Sequence, residues 1–239
     1  LNEERAKLSK RHGAVSVEEF RERGYLPQAL LNFIALLGWS PGDDREVLSL
    51  VEMVDEFRFE RVSKSGAVFD REKLNWMNQQ YLLKLPEEEY FRMIDDVIQK
   101  GDYHDQDSGK IRQAAEILKT RLVTLSDLNQ KLGLFFEENP EIKDLQAIEV
   151  LKEENSKTVL KEFLQQAENL DQLTSENLGQ LVKSVQKSTG IKGRGLWMPL
   201  RCAITREVSG PELPAMLDFF GGEKCLHLIR QTLENPSLN

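Results

Sequence analysis

Residues 7–13 form a short basic segment whose residue types suit phosphate binding. Lys7 and Lys10 flank Ser9, and Arg11-His12-Gly13 follows directly. No apolar periodicity runs through the segment, so the pattern predicts a loop. A loop with several donors and no acidic residue can bind a polyanion, most obviously a nucleoside triphosphate. On composition alone, a solvated surface loop is the commoner interpretation.

A second basic segment lies near the other end of the chain. Between Lys183 and Arg206 there is no Asp or Glu, although the whole chain carries a net charge of −8. This local sign reversal indicates a polyanion-binding face. Trp197 within it could stack on a nucleobase, but the pattern favours Trp197 and Met198 as core residues of an apolar helix face. The six basic residues of the segment are Lys183, Lys187, Lys192, Arg194, Arg201 and Arg206.

Composition limits the remaining possibilities. The chain has 239 residues, of which 40% are hydrophobic and 30% charged, as expected for a core-forming protein that stays in water. No apolar run approaches the length that spans a membrane, and residues 1–5 do not resemble a signal peptide. The start at Leu1 suggests truncation or processing. Cys202 and Cys225 form no disulfide framework and no zinc-ligand spacing occurs, so we expect a reduced, cytoplasmic setting and no metal site.

The elements that must position these residues are predicted to be helices throughout, so the expected fold class is all-α. The expected N-caps are Ser16, Ser49, Asp70 and Thr174. Pro and Gly residues between them are expected to mark the starts and ends of helices. Thr124 and Ser156 are also read as caps. The chain is expected to divide into residues 1–85, 86–137 and 138–239, with the later boundary placed in an acidic stretch that contains Pro140.

Several motifs in this order resemble bacterial glutamyl-tRNA synthetases, which are class I aminoacyl-tRNA synthetases. The resemblance starts at Lys7–Arg11, which is similar to the family's KMSKS-type signature loop with Leu8 and Arg11 as variants. It continues through Gly24-Tyr25-Leu26-Pro27 and Lys73-Leu74-Asn75-Trp76 to Met198-Pro199-Leu200-Arg201. It implies the C-terminal half of such an enzyme: a stem-contact region in residues 1–85, then a two-part helical anticodon-binding domain, without the nucleotide-binding Rossmann half.

The resemblance also implies what this half does. The family activates glutamate with ATP, with Mg2+ expected, and transfers it from glutamyl adenylate to tRNA(Glu), possibly also to tRNA(Gln). Lys10 and then Lys7 are the expected ATP contacts, with Ser9 as a hydrogen-bond donor or a turn-shaping residue. Cations placed in this way stabilise the negative charge that spreads over the phosphates as pyrophosphate leaves. A cytoplasmic monomer is expected.

The resemblance assigns anticodon contacts to several positions. Arg201 matches an arginine that contacts the first anticodon base, and Pro211 and Leu213 match positions that line the pocket of the middle base. Gly210 aligns where some relatives carry a threonine, so a side-chain contact would be absent there. Arg121 is the nearest candidate for the third base. Two further residues of the C-terminal basic segment are expected to contact tRNA, namely Lys192 and Arg194.

Two other interpretations remain open at this point. The chain could be a stand-alone helical tRNA-binding module without catalysis, which has kept the basic loop as a relic. Alternatively it could belong to a glutaminyl-tRNA synthetase, but the C-terminal half of that family is built from β-barrels, whereas the patterns here are helical.

Overall fold

The computed structural model describes residues 16–238, and helices joined by loops make up this range. Within this range no strand forms, and an isolated antiparallel bridge joins Trp39 and Val62. The all-α prediction is confirmed. The α-helices within residues 16–238 are α1 Val17–Glu22, α2 Pro27–Gly38, α3 Leu50–Glu56, α4 Arg71–Lys84, α5 Glu87–Ile98, α6 Ser108–Leu118, α7 Asp127–Phe136, α8 Leu145–Lys152, α9 Glu154–Ala167, α10 Ser175–Thr189, α11 Arg194–Thr205 and α12 Leu213–Glu234.

The helix starts follow the capping signals of the sequence. Ser16, Ser49 and Thr174 each accept a hydrogen bond from the backbone N–H three residues later, and the side chain at that third position bonds back to the cap. Asp70 caps α4 by accepting from the N–H of Lys73 at 2.9 Å. Each reciprocal box satisfies two backbone donors that a helix start leaves without partners.

Two of the expected caps are wrong. Ser156 lies inside α9, buried, and its hydroxyl donates to the carbonyl of Val150 at 2.6 Å. The helix after Thr124 begins at Asp127, whose carboxylate accepts from the backbone N–H groups of Val123 and Thr124. The Ser156 hydroxyl has another available partner, and at the start of α7 the Asp127 carboxylate bonds the backbone N–H of Thr124; a local pattern does not reveal either arrangement.

The chain divides into two compact units between Lys131 and Leu132. In the first unit, α1, α2 and α4 enclose a core that contains Phe20, Leu30, Phe33, Leu74 and Met77. The buried Asn78 amide oxygen accepts from the N–H of Leu26 at 2.8 Å, which fixes the start of α2 where no side-chain cap exists. The finer division at residues 85/86 and the boundary at 137/138 stay predictions.

Helix α3 of the first unit departs from the usual amphipathic arrangement. Its apolar residues Leu50, Val51 and Val54 are 57%, 68% and 65% exposed, and Met53 is its buried side chain. Phe59, in the following 3-10 turn, is 82% exposed. The exposed residues Leu50, Val51 and Val54 form an apolar face on α3, and Phe57 at its end is 42% exposed. This face is turned toward solvent.

In the second unit α11 packs against α8, α9 and α12. Leu196, Leu200 and Cys202 of α11 are at most 1% exposed. Helix α12 is interrupted at Gly221, whose φ of 75° is accessible mainly to glycine. None of the helices described for residues 16–238 is long and apolar enough to cross a membrane.

Candidate nucleic-acid interface

The first predicted site, the basic loop with Lys7, Ser9 and Lys10, lies outside the described residues 16–238. Its assignment as an ATP-contacting loop therefore stays a prediction. The second predicted site, the basic segment of residues 183–206, lies entirely within the second unit.

Two lysines of this segment lie on the outer face of α10. The inner face of the helix carries the buried residues Leu178, Val182 and Val185, whereas Lys183 and Lys187 are exposed. Because they are four residues apart, the two ammonium groups lie on one side of the helix, one turn apart. This spacing places two mobile positive charges where they can contact successive backbone phosphates.

The turn between α10 and α11 presents two more cations. Gly190 ends α10 with a φ of 71°, and its N–H donates to the carbonyl of Gln186 at 2.9 Å. Gly193 precedes α11 with a φ of 62°. Both values lie in the left-handed region that glycine adopts readily, and they allow the tight reversal. Lys192 and Arg194, on either side of Gly193, are exposed.

Trp197 on α11 is 43% exposed. The expectation that it is a core residue is wrong, although Met198 beside it is half-buried. The helix buries the flanking Leu196 and Leu200, which leaves the indole on the outer side. A run of three apolar residues does not show which of them faces outward, because that depends on what packs against the helix.

Arg206, the sixth cation of the segment, is not part of the exposed face. It is 6% exposed, and its guanidinium donates to the carbonyl of Ala203 at 2.8 Å and to the hydroxyl of Thr232 at 2.8 Å. Burial lowers the pKa of Arg206 to about 10. Arg206 ends α11 with a φ of 64°, and its hydrogen bond to Thr232 connects this end of the helix to α12. Its role is structural, and sequence spacing alone did not distinguish it from the surface cations.

Arg201 is half-buried and forms an ion pair with Glu212. Its Nη2 lies 2.8 Å from the carboxylate Oε2, and the two side chains are 24% and 66% exposed. Glu212 lies between Pro211 and Leu213, so the structure brings together three of the positions that the resemblance associates with the anticodon. The sequence analysis did not single out Glu212, because a pairing across eleven residues has no local signal.

Gly210 occupies a position that has no room for a side chain. A Cβ there would collide with the side chain of Thr205. The Thr205 hydroxyl lies 2.9 Å from the carbonyl oxygen of Arg201 and 3.0 Å from that of Glu207. Gly210 therefore lets the chain fold back against the end of α11, and any contact it makes with a ligand comes from its backbone.

Pro211 and Leu213 are both buried, and Leu213 is 3% exposed. Their burial holds the start of α12 in place within the second unit, and their contact with the middle base stays a prediction. Arg121, the candidate for the third base, ends the 3-10 turn Lys119–Arg121 and is half-buried in the first unit.

Two family models match successive parts of the chain. The model of the "Anticodon binding domain" family matches residues 74–233, and that of "tRNA synthetases class I (E and Q), catalytic domain" matches residues 1–76. A glutamate–tRNA ligase of Alkaliphilus metalliredigens is 38% identical over 98% of this chain and 49% of its own length. One from Listeria monocytogenes is 39% identical over 98% of this chain and 50% of its own length.

A solved structure is similar over the same extent. The crystal structure of a glutamate tRNA ligase from Elizabethkingia meningosepticum matches with a TM-score of 0.68 and 28% identity, covering 97% of this chain and 49% of that one. The chain thus spans about half the length of the relatives it matches. The predicted resemblance to glutamyl-tRNA synthetases is confirmed, and with two thirds of its residues matched by one family model the chain belongs to the anticodon-binding domain family.

Proposed function

We propose that this chain supplies tRNA recognition and an ATP-contacting loop to a glutamate–tRNA ligase, which attaches glutamate to tRNA(Glu) through glutamyl adenylate. The observation that carries the proposal is the exposed basic face of α10 and α11, which lies within the part of the chain matched by the anticodon-binding domain family. In a chain of net charge −8, this face concentrates positive charge where a polyanion can be held.

Two kinds of contact follow from the geometry. Lys183, Lys187 and Lys192 are exposed cations on flexible stems, suited to backbone phosphates, which fix position but carry no sequence information. Arg201 presents a planar guanidinium held at one nitrogen by Glu212, and such a fork can bond two atoms of a base edge. We therefore assign orientation to the lysines and reading of the first anticodon base to Arg201.

The chemical step rests on Lys7, Ser9 and Lys10 together with a nucleotide-binding half of the kind found in the relatives. The two ammonium groups would balance charge on the triphosphate as the glutamate carboxylate attacks the α-phosphate. Among residues 16–238, no three His, Cys, Asp or Glu side chains come together to hold a metal. Mg2+ is commonly bound through the phosphate oxygens of a nucleotide, and we expect the same of any Mg2+ that accompanies ATP here.

Further parts of the proposal concern the setting. Residues 1–85 would contact the tRNA stem, and residues 86–137 and 138–239 would form the two parts of the anticodon-binding domain. Arg121 would read the third base and so decide whether tRNA(Gln) is also accepted. We propose a monomer in the cytoplasm. Two buried cysteines that form no disulfide are consistent with a reducing compartment.

The experiment that tests the proposal measures binding of the chain to a tRNA(Glu) transcript and to the same transcript with a changed middle anticodon base, over a range of salt concentrations. We expect tighter binding to the unchanged transcript and a steep loss of affinity with salt. Equal binding to both transcripts would contradict anticodon recognition.

A second measurement separates the enzyme from a stand-alone tRNA-binding module. The chain is mixed with the N-terminal half of a glutamate–tRNA ligase relative, and charging of tRNA with labelled glutamate is followed. Charging that depends on Lys10 supports the ligase, whereas tRNA binding with no charging in any such mixture favours the module.

A further inference from the structure

The exposed face of α11 carries an aromatic side chain that the proposed function has not used. Trp197 is 43% exposed, and its ring makes no hydrogen bond or aromatic contact with another described residue. An indole is a large apolar surface, and leaving it in water forgoes the free energy of burial. An exposed tryptophan is therefore typical of a surface that a ligand or partner covers.

The surroundings of Trp197 define the chemistry of the occupant. At 3.6 residues per turn, Arg194, Trp197 and Arg201 lie within about 60° of each other around the helix axis. Arg194 is exposed and Arg201 is half-buried, so the indole lies between two guanidinium groups along one outer stripe. The stripe belongs to the 24-residue segment 183–206, which contains no acidic residue.

A flat π surface between cations suits one class of ligand well. The occupant must present a planar ring for stacking, and negative charge must lie on both sides of that ring. An unpaired base in an RNA loop meets both requirements, because its own phosphates flank it. Glu212 already pairs with Arg201, so an apolar protein surface would leave the Arg194 guanidinium unpaired at its edge, which is unfavourable when that group loses water.

We propose that Trp197 is a stacking platform for one unpaired base of an RNA loop, with Arg194 and Arg201 contacting the phosphates on either side of that base or the base itself. The inference rests on the proposed function and adds a residue to it. Stacking tolerates every base, so Trp197 contributes affinity and holds the loop open, while discrimination is left to Arg201.

The test uses the whole chain, a 17-nucleotide hairpin with the anticodon stem and loop of tRNA(Glu), and a set of hairpins with one loop base removed at a time. The variants are Trp197→Ala, Trp197→Leu and Trp197→Phe. Leu145→Ala is the control, because Leu145 is 74% exposed at the start of α8 in the same unit but lies outside the basic segment. Helical circular dichroism and the thermal midpoint confirm that each variant is folded.

We expect Trp197→Ala and Trp197→Leu to lose about tenfold in affinity for the intact hairpin and Trp197→Phe to lose less, since a smaller ring still stacks. The slope of log affinity against log salt should not change, because no charge is removed. For one hairpin of the base-removed set, the wild type and Trp197→Ala should bind equally, and that hairpin identifies the stacked base. Leu145→Ala should bind as the wild type does.

Three results would overturn the inference while leaving the proposed function in place. The first is unchanged affinity in Trp197→Ala. The second is full affinity in Trp197→Leu, which would show an apolar contact without stacking. The third is an equal loss in Leu145→Ala. Failure of the wild-type chain to bind either the hairpin or the tRNA would instead overturn the proposed function.

Discussion

At the scale of single residues, the ion pair between Arg201 and Glu212 determines how the guanidinium is presented. The pair is partly exposed, so its direct contribution to stability is about 0–1 kcal/mol. Its effect on orientation is larger, because the carboxylate restricts a side chain that otherwise samples many rotamers. The remaining guanidinium donors are then presented from a fixed position.

We predict that Glu212→Ala lowers discrimination between transcripts that differ at the first anticodon base by about threefold to tenfold, as expected for loss of a positioning contact. Affinity for the unchanged transcript should fall little, since a negative charge near the phosphates is also removed. Binding isotherms with both transcripts measure this. Glu168→Ala, which removes one exposed charge from the same unit, is the control, and discrimination equal to the wild type in Glu212→Ala would contradict the prediction.

The two cysteines are a second feature at this scale. Cys202 and Cys225 are both 0% exposed, and burial raises the pKa of each thiol to about 12. Unfolding exposes thiols that ionise near pH 9. The unfolded chain therefore binds fewer protons than the folded one between about pH 9 and 12, and stability falls with rising pH across this window.

We predict that Cys202→Ala and Cys225→Ala each flatten this decline by up to about 1.4 kcal/mol per pH unit. Urea unfolding at several pH values from 8 to 10.5 measures the slope. Neither thiol of the folded wild type should react with a disulfide reagent at pH 8. Rapid modification without unfolding would show that the thiols are not enclosed as described.

At the scale of elements, the sequence predicted the helices well where the signal was local. Ser49-x-x-Glu52 and Asp70 mark helix starts through bonds that span three residues, and the structure contains them. Predictions failed where packing decides. Periodicity does not predict three features, because each depends on a neighbouring element. They are the burial of Ser156, the exposure of Trp197 and the exposure of the apolar face of α3. The Arg201–Glu212 pair and the structural role of Arg206 were missed for the same reason.

The kink of α12 provides a prediction at this scale. Gly222 follows the break at Gly221, and a Cβ on Gly222 would lie 2.9 Å from the Cβ of Leu173 and collide with its carbonyl. We predict that Gly222→Ala destabilises the chain by about 1–3 kcal/mol, because the close approach of two backbones must open. The free energy of unfolding in urea measures the loss.

The matched control is Gly179→Ala on α10. Gly179 is exposed inside a helix, and a Cβ there would meet nothing within 4 Å. This substitution should raise stability by about 0.5–1 kcal/mol through the lower entropy of the unfolded chain and better helix propensity. Destabilisation of similar size in both variants would mean that the contact with Leu173 is not what limits position 222.

At the scale of the whole molecule, the question is whether net charge or its placement governs tRNA binding. A chain of net charge −8 should repel a polyanion on average, so binding depends on local concentration of cations. Lys183 and Lys187 on α10 are exposed and four residues apart, and Lys157 and Lys161 on α9 have the same spacing in the same unit, outside the acid-free segment. The two pairs therefore differ in placement more than in number or spacing.

We predict that Lys183→Glu with Lys187→Glu weakens binding of the tRNA(Glu) transcript at least about tenfold and lowers the salt slope by about two, one for each lost phosphate contact. The same double change at Lys157 and Lys161 alters the net charge equally, from −8 to −12. It should change affinity less than about threefold, as expected for screened charges away from the ligand. Affinities measured between 50 and 300 mM salt give both quantities. An equal loss in the two variants would show that tRNA responds to the total charge, and the basic face of α10 and α11 would then have no special part in binding.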